Sequence, residues 1–176
     1  FCSLECKQKA YKSFHRYECP AMSSLLKSGS VHIALRMFFI SLSAFGGSIE
    51  KLQEFIEENE NANSTVYDFD FSTESSKDAI NYLKCLFSLS RSSKMFPLHS
   101  CEEILSSHPE VKNIWTNHRT FIKEFLLRIC QTNDLYFHGI FSGSLKRDLS
   151  ADPLSALRSL QQSIGSGWFP FCSLIN

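Results

Sequence analysis

The chain has 176 residues, enough for one domain with its own core, and 43% of them are apolar, Phe alone occurring 16 times. That composition excludes a disordered chain. Lys+Arg and Asp+Glu both number 18, so the net charge is zero; this argues against a broad nucleic-acid or anionic-membrane surface, though a local basic patch stays possible.

The first residues, Phe1-Cys2-Ser3-Leu4-Glu5-Cys6, have neither the basic start nor the apolar core of a signal peptide. Residues 7–18 contain good helix formers and no Gly or Pro, which predicts a short helix carrying His15, ended by Pro20 after Cys19. A second short helix is expected over 21–27, stopping at Gly29. Ser30 is a candidate cap for a helix over 31–44, apolar on almost every face although His32 and Arg36 interrupt it. A membrane span needs roughly 20 apolar residues, so this stretch reads as a buried helix.

Gly46-Gly47 breaks that helix, and Ser48 caps the next, over 49–58, with the stripe Ile49, Leu52, Phe55 and Ile56. From Leu52 to Ser76 there is no Lys or Arg, while Glu54, Glu57, Glu58, Glu60, Asp68, Asp70 and Glu74 are all acidic. Residues 59–75 read as a solvated loop, the alternative being a docking site for a basic partner. A helix over 77–91 follows Ser76 and carries Ile80, Leu83, Leu86 and Phe87. Pro97 and Pro109 bracket a short helix containing Ile104-Leu105. A long helix over 117–131 has Phe121, Ile122, Phe125, Leu126 and Ile129 at helical spacing.

Gly139 and Gly143 mark a loop. Asp152-Pro153 pairs an N-cap with Pro at the first helical position, opening a helix over 153–163 that ends at Gly165. The tail Trp168 to Asn176 is nearly all apolar. No internal repeat and no long strand alternation is visible, so the chain is expected to be mainly α.

The seven cysteines divide into two groups. Cys2, Cys6 and Cys19 lie with His15 in the first nineteen residues. Cys85, Cys101, Cys130 and Cys172 sit among apolar neighbours. That is a metal cluster plus core thiols rather than a disulfide framework, and it suits a reducing compartment, the cytoplasm or nucleus.

The metal cluster has the spacing Cys2-x3-Cys6-x8-His15-x3-Cys19. Thiolate and imidazole are the ligands tetrahedral structural zinc prefers. Cys2 and Cys6 are close enough to chelate one ion, and His15 and Cys19, four apart on a helix, can share another. One ion held by all four residues is the alternative. The Lys7, Lys9, Lys12 and Arg16 cluster with Tyr11, Phe14 and Tyr17 also has the mix used for nucleic-acid backbone contact and stacking; a solvated helix face is the plainer explanation.

The run Phe1-Cys2-Ser3-Leu4-Glu5-Cys6 followed by His15-Arg16-Tyr17-Glu18-Cys19 resembles the second half of a MYND zinc finger. The segment Gly165-Ser166-Gly167-Trp168-Phe169-Pro170-Phe171-Cys172-Ser173-Leu174-Ile175-Asn176 resembles the entry to the SET core of SET- and MYND-domain protein-lysine methyltransferases. In that family eight ligands bind two zinc ions in an interleaved way. The resemblance implies that Cys2 and Cys6 share one ion, and His15 and Cys19 the other, with pairs from an earlier stretch of chain.

It further implies that Asn176 contacts S-adenosylmethionine, with Asn133 the only nearby candidate for a second cofactor-binding Asn; helix C-terminal placement is the plain alternative for Asn133. The implied organisation is half a finger over 1–19, a helical SET insert over 20–164, and a strand-like start of the SET core over 165–176. The implied activity is zinc-containing, S-adenosylmethionine-dependent lysine methyl transfer to a protein substrate. The family's Gly-x-Gly strand, catalytic Tyr and post-SET cysteines are not among these residues, so no catalytic residue is assigned and the segment is not expected to be competent alone. The alternative is a module that binds a peptide partner with little or no methyl transfer. Residues 1–19 and 165–176, as partial motifs, are expected to carry less order than the helical stretch.

Overall fold

The structure is a computed structural model that describes residues 3–60, 79–89, 91–143 and 161–168. The chain divides into two compact units, Phe1–Leu135 and Tyr136–Asn176. It is mainly α-helical.

In the first unit Ser3 opens α1 (Leu4–Ala10), its Oγ accepting from the Cys6 N–H at 3.0 Å. The helical path continues through a π turn (Tyr11–His15), α2 (Arg16–Glu18), a 3-10 turn (Cys19–Ala21) and α3 (Met22–Leu25). Pro20 does not end the path as its sequence suggested. It sits in the first turn of the 3-10 segment, where a fixed φ and a missing N–H cost nothing.

Gly29, at φ 58, turns the chain into α4 (Ser30–Ala44). Ser30 is therefore the first helical residue and not the cap; Gly29 occupies the cap position without a side-chain bond. At the other end Gly46 and Gly47 take φ of 67 and 84. The Gly47 N–H donates to Leu42 O at 2.8 Å and the Gly46 N–H to Ser43 O at 3.1 Å. This is the Schellman pattern, which satisfies the last carbonyls and needs left-handed residues where a Cβ would be strained. The chain bends by 105° between α4 and α5 (Ile49–Glu60). Ser48 caps α5, its Oγ accepting from the Lys51 N–H at 3.3 Å.

Then follow α6 (Ala79–Ser88), α7 (His99–Ser107), α8 (Pro109–Asn117) and α9 (Arg119–Tyr136). Pro109 does more than close the bracket around Ile104-Leu105: it starts α8, a helix that the sequence pattern does not predict. Among the described residues no single helix is long and apolar enough to cross a membrane.

Helix α4 is the hub, packing against the π turn, α5, α6 and α7. Leu35, Phe38 and Phe39 of α4 are fully or almost fully buried, as are Leu52, Leu83, Leu86, Leu105, Ile122, Leu126 and Ile129. Each such side chain contributes about 1.5–3 kcal/mol relative to exposure. Phe125 joins three helices: its ring centroid lies 5.7 Å from Phe38, 5.7 Å from Phe87 and 6.3 Å from Phe121.

Polar groups on α9 fasten the connection between α6 and α7. Arg128 Nη2 donates to the Phe87 and Leu89 carbonyls at 2.8 and 2.9 Å, capping the end of α6. The Ser92 N–H donates to Gln131 O, Gln131 Nε2 to Lys94 O, and Lys94 Nζ pairs with Asp134 Oδ1 at 2.9 Å.

In the second unit β1 (Phe137–Gly143) and β2 (Gln161–Trp168) pair antiparallel, from Phe137 opposite Trp168 to Gly143 opposite Gln161. The register shifts between Ile140 and Phe141, leaving Ile164 as the extra residue of a bulge. The loop expected at Gly139 and Gly143 is thus a strand. Residues 161–163, expected at the end of a helix over 153–163, are also strand; the earlier part of that expected helix lies outside the described residues. Ladder bonds between segments some twenty residues apart override the local signal of the glycines.

Phe125→Ala should lower the free energy of unfolding by about 3–5 kcal/mol, because the ring is buried between its own helix and two others and its site cannot collapse fully. The shift of the urea midpoint measures it; a loss under 1 kcal/mol would mean the three contacts are not made together.

Candidate metal centre

Three of the four candidate zinc ligands fall on described residues. Cys6 lies on α1 and is half-buried, His15 ends the π turn and is half-buried, and Cys19 opens the 3-10 turn and is exposed. Cys2 lies outside the described residues. His15 and Cys19 are four apart along unbroken helical backbone, the spacing that brings two side chains to one face.

Among the described residues no three His, Cys, Asp or Glu side chains gather closely enough to hold a metal ion. A single ion held by all four candidates would require Cys6, His15 and Cys19 to meet, and they do not. An imidazole and a thiol four residues apart on one stretch of helix are donor types that zinc takes.

The helical turn that bears His15 and Cys19 is not a loose end. Tyr17 and Glu18, between the two candidates, are 8% and 0% exposed. The Tyr17 ring stacks on Phe39 of α4 at 4.4 Å and meets His108 edge-on at 5.0 Å. Arg16 donates to the Tyr17 hydroxyl and pairs with Glu110 of α8 at 3.2 Å. Residues 1–19 are expected to carry less order as a partial motif; within them the turn around Tyr17 and Glu18 packs on Phe39 of α4 and on His108 and Glu110 at α8.

Glu18 is the one acid buried among the described residues. Arg36 Nε donates to its Oε1 at 3.0 Å and Arg36 Nη2 to its Oε2 at 2.8 Å. His32 Nε2 stands 3.4 Å from the same Oε2 and 3.2 Å from Arg36 Nη2. Burial alone would push the Glu18 carboxyl up, but hydrogen bonds from His32 and Arg36 and the positive charge of Arg36 outweigh it and hold it below the usual carboxylate range. A signal for this cluster was present in the sequence, since His32 and Arg36 are the two titratable interruptions of an apolar run, four residues apart. Their partner, on another helix, was not readable from spacing.

The other described cysteines are core thiols. Cys85, Cys101 and Cys130 are fully buried, and burial pushes all three thiols up to about 12. The Cys101 thiol also donates to Val31 O at 3.6 Å. Cys172 lies outside the described residues.

Of the two candidate cofactor residues, Asn176 lies outside the described residues. Asn133 lies in the last turn of α9, 2% exposed, and its Nδ2 has no acceptor among the described residues. A buried donor left unmatched calls for a ligand atom or a water. Beside α1, an open, mainly apolar groove of about 850 Å³ is lined by Cys6, Lys9, Lys12, Phe14, Ile40 and Ala44 among others.

Comparisons with models of protein families, with curated proteins and with solved structures find no match.

Two outcomes are expected. Iodoacetamide at neutral pH should modify Cys19, and Cys6 more slowly, while Cys85, Cys101 and Cys130 stay unmodified until denaturant is added; peptide mass mapping reads this, and native-state labelling of the last three would contradict their burial. Stability should also depend on Glu18. Its carboxyl is lowered from the ordinary 4.5, so its contribution is complete above that value and is lost as pH falls through the lower folded value. Thermal unfolding of the native chain should show this acid loss and Glu18→Gln should show less of it; parallel pH profiles would rule it out.

Proposed function

We propose that the chain is part of a zinc-binding, S-adenosylmethionine-dependent protein-lysine N-methyltransferase of the SET and MYND type. Residues 1–19 are the second half of its finger, 20–164 the helical insert and 165–176 the start of its SET core. The observation that carries this reading is the ligand pattern Cys2-x3-Cys6-x8-His15-x3-Cys19, followed in order by a helical stretch and the tail ending in Ser173-Leu174-Ile175-Asn176. The separation of Cys6 from His15 and Cys19 supports two ligand pairs over one closed site.

In this reading zinc, when bound, supplies a crosslink between the finger's two halves, and the cofactor supplies the methyl group. The chain's own part is to present two donors from one helical face and to hold that face on α4. Asn133 and Asn176 are the residues that would bind the cofactor, and the unmatched amide of Asn133 supports the assignment of the first. Methyl transfer to an amine rests mainly on positioning. The positioning parts of a SET site are not among these residues, and no catalytic role is assigned to any of them.

The groove beside α1 favours a second reading, a module that takes a short peptide partner. Phe14, Ile40 and Ala44 in its lining would seat an apolar side chain, and Glu5, Lys9 and Lys12 in the same lining would meet a flank of mixed charge.

Native mass spectrometry tests the first reading. The chain should take up zinc weakly and without fixed stoichiometry, because two protein ligands per ion leave half of each shell to water. Cys19→Ser should lower the uptake. By calorimetry the chain should show no measurable heat with S-adenosylmethionine, and the parent enzyme carrying the complete SET core should bind it. A parent that binds peptide but no cofactor would favour the module, and a single tightly held zinc would restore the closed four-ligand site.

A further inference from the structure

Arg36 is distant in sequence from the candidate ligands, yet its guanidinium touches the residue that precedes His15 and the residue that precedes Cys19. Its Nε and Nη2 grip both oxygens of Glu18, which comes immediately before Cys19. Its Cζ stands 4.7 Å from the centroid of the Phe14 ring, and Phe14 comes immediately before His15. We propose that Arg36 is a positioning residue for the His15/Cys19 pair, fixing the face that this helical turn offers to a metal ion. The inference rests on reading His15 and Cys19 as ligands.

The geometry follows from the helix. Successive residues lie about 100° apart around the axis. Drawing Phe14 and Glu18 onto α4 turns the next residues, His15 and Cys19, together onto the neighbouring face, and Cys19 is exposed there. One grip would let the turn pivot. Two grips four residues apart fix both its rotation and its height along the helix.

The two grips use different properties of the same group. The carboxylate takes the donor fork, and the ring takes the flat cationic face. A lysine ammonium is a point charge and can do one or the other, not both in the same place. His32 backs the carboxylate at 3.4 Å, so Glu18, at 0% exposure, has no alternative partner in water. The ligand pair is therefore presented by the helical unit before any ion arrives. Metal ligands are sensitive to such outer supports, whose loss typically costs 10–100-fold in affinity.

The test is a Zn2+ titration of the full 176-residue chain, followed by the imidazole NMR resonances of His15, assigned with His15→Gln. In the native chain these resonances should move with zinc, and in Cys19→Ser they should not. Arg36→Lys and Arg36→Met should shift the midpoint about tenfold to higher zinc, with helix content checked by circular dichroism. Arg36→Lys keeps the charge and guards against a variant that fails to fold. A folded Arg36→Lys chain that melts earlier but binds zinc with unchanged midpoint would reduce Arg36 to a structural ion pair and overturn the proposal. Native-chain resonances indifferent to zinc would overturn the reading of the ligands themselves, and this proposal with it.

Discussion

A carboxylate with no exposure to water costs several kcal/mol unless its charge is met, and in this chain that constraint falls on Glu18. Arg36 meets it with a fork of hydrogen bonds, and His32 stands behind it. Because Arg36 and His32 both project from α4, satisfying Glu18 holds the turn around it against the central helix. Tyr17 then reaches Phe39 and His108, and Arg16 reaches Glu110. The N-terminal helical path, α4 and α8 are joined through one buried charge, and a stretch too short to form a core shares one.

The apolar packing beyond that point depends on α4 in a different way. Its sides are covered by α5, α6 and α7, and Phe38 hands the core on to Phe125 of α9. Arg128 repeats the device used by Arg36 with backbone as its target, a partly buried guanidinium closing the carbonyl end of α6. Both arginines hold a junction between helices, where apolar contact alone would permit sliding.

Much of the helical order was legible in the sequence because it is written locally. The stripes Ile49/Leu52/Ile56 and Ile122/Phe125/Leu126/Ile129 are periodic, Gly46-Gly47 is a stop and Ser48 a start, and the structure has each where the pattern put it. The failures were of two kinds. Pro109 is equally suited to follow one helix and begin another, and the sequence could not say which. The β1/β2 pairing depends on partners far apart in the chain, with glycines at 139 and 165 that read as turns. In the candidate site the donor types and their spacing were readable. The grip of Arg36 on Phe14 and Glu18 was not, because a contact between residues 18 or 22 positions apart leaves no period.

The π turn at Tyr11–His15 separates the helix bearing Cys6 from the turn bearing Cys19. A π turn holds one residue more than an α turn needs, and such inserts survive where a local shift in direction is useful. Here it lies between two donor-bearing stretches. Removing one residue between Tyr11 and Phe14 would take out that surplus and return the turn to plain α spacing, so that Cys6 would keep its direction relative to Cys19. The same deletion within α1, where no surplus residue is held, would swing everything before it by about 100° about the helix axis. The π turn is thus the place where this helical path could lose a residue without turning its two ends against each other.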